Sequence, residues 1–172
     1  MKYYWSDQHL DHYNIIKHSN RPFTNVNEMN RTMIENCKSI VQPNDELYFG
    51  GDICMNLTPE ILSMIKSINC KKYLVKGNHD KKSLKNKNFR DLFVDIRDIM
   101  TIHDNDKTIV LCHYPMIEWD GYFRGTYHFY GHVHNNHDNQ ANKIMSNIDN
   151  AYNIGVDILG FMPRTADEII KK

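Results

Sequence analysis

Five short strings of Asp, Asn, His and Gly follow one another along this chain: Asp7-Gln8-His9, Gly51-Asp52, Gly77-Asn78-His79-Asp80, His113, and Gly131-His132-Val133-His134. Each closes a short run that reads as a β-strand: residues 2–6, 46–49, 72–76, 107–112 and 126–130. Such runs, rich in β-branched and aromatic residues and bounded by turn formers, are strand signatures. The polar strings therefore fall at the C-terminal ends of strands, where open α/β sheets gather their sites. Glycine before Asp52, Asn78 and His132 is expected to let the backbone turn sharply, so that the next side chain aims inward. In extended backbone, side chains two residues apart point the same way, so Asp7 is expected to converge with His9, and His132 with His134.

The remaining chain supplies helices. Residues 27–41 carry Met29, Met33, Ile34, Cys37, Ile40 and Val41 at helical spacing, stopped before Pro43. Thr58 caps a second helix, with Pro59 at its first position, running to about residue 68. Thr165 and Glu168 form a capping-box signature for a short final helix. Further strands are expected at 94–102 and 151–154. Strand–helix alternation followed by mostly strands predicts an α/β fold of two sheets flanked by helices. With no repeats or linkers, residues 1–172 are expected to form one domain.

Composition narrows the chemistry. Net charge is zero, which gives no global pull toward nucleic acid or membrane. No apolar run approaches the roughly 18 residues of a membrane span, and Met1-Lys2-Tyr3-Tyr4-Trp5-Ser6 is no signal peptide. Cys37, Cys54, Cys70 and Cys112 lack CxxC spacing and read as reduced thiols, so a cytoplasmic location is expected. Carboxylate and imidazole donors suit Mn, Fe or Zn, and the absence of clustered thiolates argues against a structural zinc site.

Taken in order, the five strings resemble the calcineurin-like metallophosphoesterase family, over residues 7 to 134. The run Asp7-Gln8-His9-Leu10-Asp11-His12-Tyr13-Asn14-Ile15-Ile16, then Arg21-Pro22-Phe23, resembles a small bacterial and phage branch of it. So does His113-Tyr114-Pro115-Met116 followed by Trp119. The resemblance implies a four-layer α-β-β-α sandwich of two mixed sheets and a binuclear metal centre. By that resemblance Asp7, His9, Asp52 and His134 hold one divalent ion, and Asp52, Asn78, His113 and His132 the other. Mn is the ion expected to support activity in vitro, with Fe, Zn or Ni as alternatives. Two such ions sit roughly 3.5–4 Å apart, commonly held by a bridging carboxylate, which makes Asp52 the candidate bridge. His79 has no ligand slot left and resembles the family's catalytic histidine, protonating the leaving oxygen while a metal-bound hydroxide attacks phosphorus.

Other residues are weighed more lightly. His12 and Asn14 open a first helical turn and, by the branch resemblance, line the cleft. Trp119 and Arg124 are read as a substrate wall, Arg124 meeting a phosphate oxygen and an aromatic ring stacking on a base or sugar. The positive run 81–87 follows His79 and is mostly a solvated face. His18, His103, His128 and His137 are expected to have no site role. Protein serine/threonine phosphatases carry an Asp three residues after the bridging Asp, then an Arg; here Met55 and Asn56 stand there. The chain is also too short for the capping domain of the superfamily's DNA-repair nucleases. The expected function is hydrolysis of small phosphorylated substrates, diesters such as nucleotides or cyclic nucleotides in preference to monoesters. The alternatives are a nuclease for single strands, disfavoured by the neutral charge, and an inactive scaffold.

Overall fold

A computed structural model describes residues 1–171. Strands β1 (Lys2–Trp5), β2 (Glu46–Phe49), β3 (Lys71–Val75) and β4 (Asp95–Arg97) form one sheet in that order, all parallel. Strands β5 (Ile99–Asp104), β6 (Lys107–Cys112), β7 (Tyr127–Tyr130) and β8 (Ala151–Asn153) form the second. There β5 and β6 pair antiparallel, and β6, β7 and β8 pair parallel. Only the second sheet is therefore mixed, where two mixed sheets were expected. Each link within the first sheet is long enough to cross over with helical segments and re-enter in parallel. The single strand expected over 94–102 is in fact two, β4 and β5, separated at Asp98 and placed in different sheets. Residues 94–102 contain no Gly or Pro to mark that switch.

Helices α1 (Tyr13–His18), α2 (Val26–Ile40), α3 (Pro59–Ser67), α4 (Asp80–Ser83), α5 (Lys87–Arg90), α6 (Gln140–Met145), α7 (Val156–Leu159) and α8 (Ala166–Ile170) flank the sheets. Asn25 caps α2 through Glu28 N–H, and the helix buries Met29, Met33, Ile34 and Cys37. Thr58 caps α3, with Pro59 at its start and Ile61 and Ile65 inward. The Thr165–Glu168 capping box at α8 is formed. Among the described residues, no helix is long and apolar enough to cross a membrane.

The space between the sheets is filled by rings. Tyr4 stacks on Tyr48 and Tyr48 on Tyr73, with centroids 5.4 and 4.6 Å apart, and Phe129 meets Tyr4 edge-on. Trp5 and Phe49 alternate to the opposite face, where Phe49 meets Phe93 and Phe93 meets Phe89. Truncating one of the fully buried rings, Trp5, Phe49, Phe89 or Phe129, to Ala costs about 3–5 kcal/mol.

Register decides where the site forms. Trp5 pairs with Phe49, and Phe49 with Leu74, so the chain leaves β1, β2 and β3 at one level. Ser6 then bridges Gly155, with Ser6 N–H donating to Ile154 O and Val156 N–H to Ser6 O. That bridge joins the end of β1 to the segment after β8. The strand ends of both sheets thereby meet in one place.

Candidate metal centre

Five of the seven candidate donors have left-handed backbone: Asp7 (φ 60°), His9 (50°), Asp52 (55°), His132 (72°) and His134 (49°). Non-glycine residues seldom adopt this region, which costs on the order of 1–3 kcal/mol and clusters where function demands it. Asp7 and His9 do converge, but through alternate left-handed residues in a loop rather than as an extended strand. The loop is laced to the next one by Asp7 N–H to Gly51 O, His9 N–H to Asp52 O and Leu10 N–H to Ile53 O. Gly51 makes the expected sharp turn before Asp52, with φ 100°, whereas Gly77 and Gly131 act by leaving room. A Cβ on Gly77 would overlap the Asp52 carboxylate, and one on Gly131 would overlap Ser6 Oγ and the Asp7 carboxylate.

Two donor groups result. Asp7, His9 and His134 offer atoms within 4.8 Å of one another, and so do Asp52, His113 and His132. Either group could hold a metal ion. Asn78 Oδ1 lies 3.1 Å from His113 Nε2, which places it beside the second. Asp52 Oδ2 stands between the groups, 3.6 Å from His9 Nε2 and 3.5 Å from His113 Nε2. Its other oxygen accepts the His79 N–H. His9 Nε2 is buried with no hydrogen-bond partner, which is costly for a polar atom unless a cation meets its lone pair. The donor set and this orphaned nitrogen fit a divalent metal with O/N preference.

Partners behind the donors set their orientation. His113 Nδ1 lies 2.8 Å from Gly50 O, and His134 Nδ1 lies 2.8 Å from Asp157 Oδ2, leaving each Nε2 toward the site. Arg21 donates to both oxygens of Asp157, and to the carbonyls of Asp7 and Gln8. Asp80 is no donor to the centre. Its carboxylate accepts the backbone N–H groups of Asp52, Ile53 and Gly77, tying the second loop to the third.

Charge follows this layout. Burial holds the His9 imidazolium down to a pKa of about 2, keeping the ring neutral. Burial alone would raise Asp52, but the His113 ring and the His79 N–H outweigh it and bring the carboxyl to about 2. Burial opposes protonation of His113, yet Asp52 and Asp7 lift it to about 9. Asp157 is lowered: burial works against it, and the His134 hydrogen bond and Arg21 prevail.

The remaining sequence candidates separate. His79 is partly exposed, its Nε2 4.0 Å from Asp52 Oδ2 and its ring 5.2 Å from that of His9. His12 Nδ1 is 3.4 Å from His9 Nδ1. Asn14 is exposed on α1, with no hydrogen bond to any donor. Lys81 and Lys82 are exposed on α4, directly after His79. Trp119 and Arg124 make their contacts with residues other than the donors. Parallel pairing of β6 and β7 forces the chain to return from His113 to the far end of the sheet before β7 begins, with Tyr127 level with Ile109. Trp119 is buried in that returning loop, its indole N–H on Thr126 and its ring against His128. Arg124 pairs with Asp120 at the surface, just before the far end of β7.

Sequence reasoning missed three contributors. Asp157 follows His134 by 23 residues inside a short helix and carries no motif. Arg21 was visible only as part of a resemblance. Tyr114 sets its ring edgewise against His113 and His132, at 5.0 and 4.7 Å.

Comparison with known proteins places the chain. It is 33% identical over 171 residues to the uncharacterized protein MJ1445 of Methanocaldococcus jannaschii, spanning 98% of this chain and 89% of the relative. The chain belongs to the family of MJ1445. The crystal structure of a protein of unknown function, AQ665 from Aquifex aeolicus, carries the same fold. It superposes with a TM-score of 0.79 at 28% identity, over 99% of this chain and 98% of that one. Neither name brings an activity with it. A Pseudomonas putida nuclease, MPE, aligns over 77% of this chain and 60% of its own at 19% identity. Its TM-score is 0.42. No family model matches the sequence.

Proposed function

We propose that this protein is a binuclear metal-dependent phosphoesterase of the calcineurin-like type. The observation that carries the reading is Asp52, one carboxylate oxygen within 3.6 Å of a donor from each group. Asp7, His9, Asp52 and His134 would hold one ion, and Asp52, Asn78, His113 and His132 the other. Mn is the first choice in vitro, with Fe, Zn or Ni compatible with the same donors. When bound, two such ions supply Lewis acidity to a phosphoryl group and lower the pKa of water toward neutrality. His79, partly exposed beside both groups, hands its ring proton to the leaving oxygen as the P–O bond breaks.

Diesters are favoured over monoesters. A dianionic monoester calls for a guanidinium clamp, and the arginine beside the donors, Arg21, is saturated by Asp157 and two carbonyls. Small phosphorylated substrates such as nucleotides or cyclic nucleotides fit this reading, in a cytoplasmic enzyme with reduced thiols. Lys81 and Lys82 beside His79 support single-stranded nucleic acid as a second reading.

Elemental analysis with parallel hydrolysis of bis-p-nitrophenyl phosphate and p-nitrophenyl phosphate tests it. Two ions per chain and faster diester turnover are expected. At most one ion at full activity, or no hydrolysis by metal-loaded protein, overturns it. His79→Ala should keep both ions and lose roughly 10²–10⁴-fold on an ester with an alkyl or ribose leaving group. The loss should shrink with p-nitrophenol, which leaves without a proton. Equal losses on the two esters would reject proton donation.

A further inference from the structure

A histidine that binds metal through one ring nitrogen is fixed in tautomer and orientation by what its other nitrogen meets. His113 meets a carbonyl, Gly50 O, and His134 meets a carboxylate, Asp157. His9 meets a second imidazole: its Nδ1 lies 3.4 Å from His12 Nδ1, with ring centroids 5.3 Å apart. His12 stands outside all five donor strings. It also occupies the N-cap of α1, where Ser, Thr, Asp or Asn usually serve, and its side chain makes no capping bond. The ring is committed to His9 instead.

Two facing ring nitrogens need one proton between them, and a neutral imidazole has one to give. His9 Nε2 is buried without a hydrogen-bond partner, 3.6 Å from Asp52 Oδ2. A cation there requires a bare lone pair on Nε2, so the proton of His9 resides on Nδ1. His12 Nδ1 must then be bare, and neutral His12 carries its own proton on Nε2.

We propose that His12 is a positioning residue for the metal centre, accepting the Nδ1–H of His9 and holding His9 Nε2 toward the ion. The assignment rests on the two-metal reading above. It makes a prediction for the first donor group alone, because neither His113 nor His132 touches His12.

The test is zinc binding by wild type, His12→Phe and His12→Gln, read by competition titration and elemental analysis, with folding of each variant checked by circular dichroism. Wild type should take up two ions. His12→Phe keeps a ring of similar bulk without an acceptor, and should weaken one of the two sites by about 10–100-fold while sparing the other. His12→Gln restores an acceptor oxygen and should recover most of that loss, which a packing role alone would not produce. Should His12→Phe fail to fold, long-range ¹⁵N–¹H correlation spectra of zinc-loaded wild type decide the matter. His12 should be protonated on Nε2 and bare on Nδ1. Unchanged affinities in a folded His12→Phe, or a proton on His12 Nδ1, would overturn the assignment while leaving the two-metal reading intact. Wild type that binds no zinc would take down that reading and this inference together.

Discussion

The two donor groups use the same residue types and are held very differently. In the first, Asp7 and His9 are buried and both Asp7 oxygens accept the His132 N–H. His134 leans on Asp157, which an arginine with a fully buried side chain clamps from behind. That same arginine binds the carbonyls of Asp7 and Gln8, so one side chain braces two donors and the loop between them. In the second group Asp52 and His113 are buried, but His132 is exposed, its ring set against those of Tyr114 and His113. A preorganised site loses less conformational freedom on binding than one that must order a side chain. The first group should therefore bind its ion more tightly, and a chelator should strip the second ion first.

Asp52→Asn should have the largest effect, because it erases the difference between the groups by weakening both. One charge shared by two sites disappears, and the cost to turnover is expected to reach about 10³-fold, or roughly 4 kcal/mol of barrier at ~1.4 kcal/mol per tenfold. Metal stoichiometry and kcat measured together check this. Retention of two ions at the wild-type rate would reject Asp52 as the link.

Asp157→Asn should be smaller and one-sided. His134 loses its carboxylate acceptor, and Arg21 loses its ion pair while keeping two carbonyls. Affinity at the first group should fall by about 10–100-fold, with the second unchanged. A loss spread equally over both sites would mean that the bracing is shared and the comparison wrong.

The smallest effect lies outside both groups. His128 is wholly buried, its Nδ1 near Val110 O and its Nε2 accepting the Met116 N–H. Burial lowers its pKa below the ordinary 6.5. As pH falls, the unfolded chain therefore takes up the proton first. The stability contribution is complete above about 6.5 and is lost as pH drops below it, by at most about 1.4 kcal/mol per pH unit. Urea unfolding of metal-free protein at pH 7.5 and 5.5 should show a shallower acid loss in His128→Gln than in wild type. An identical loss would assign the acid sensitivity to the site histidines instead.

Much of the layout was legible in the chain itself. Strand runs at 46–49 and 107–112 and the caps at Thr58 and Thr165 are local signals, written in propensity and hydrogen-bonding chemistry within a few residues. The donor strings were legible for the same reason, since Gly, Asp and His at strand ends stand out against apolar neighbours. Tertiary structure alone decided the rest. Left-handed backbone at Asp7, His9 and His134 is imposed by loops laced to one another, and no single residue announces it. The switch between sheets at Asp98 and the return path that carries Trp119 and Arg124 to the far end of β7 follow from strand direction, which local pattern does not encode. Asp157 and Arg21 brace the centre across 136 positions of sequence. Such a pair has no spacing to read, because the contact exists only once the segment after β8 docks against the end of β1.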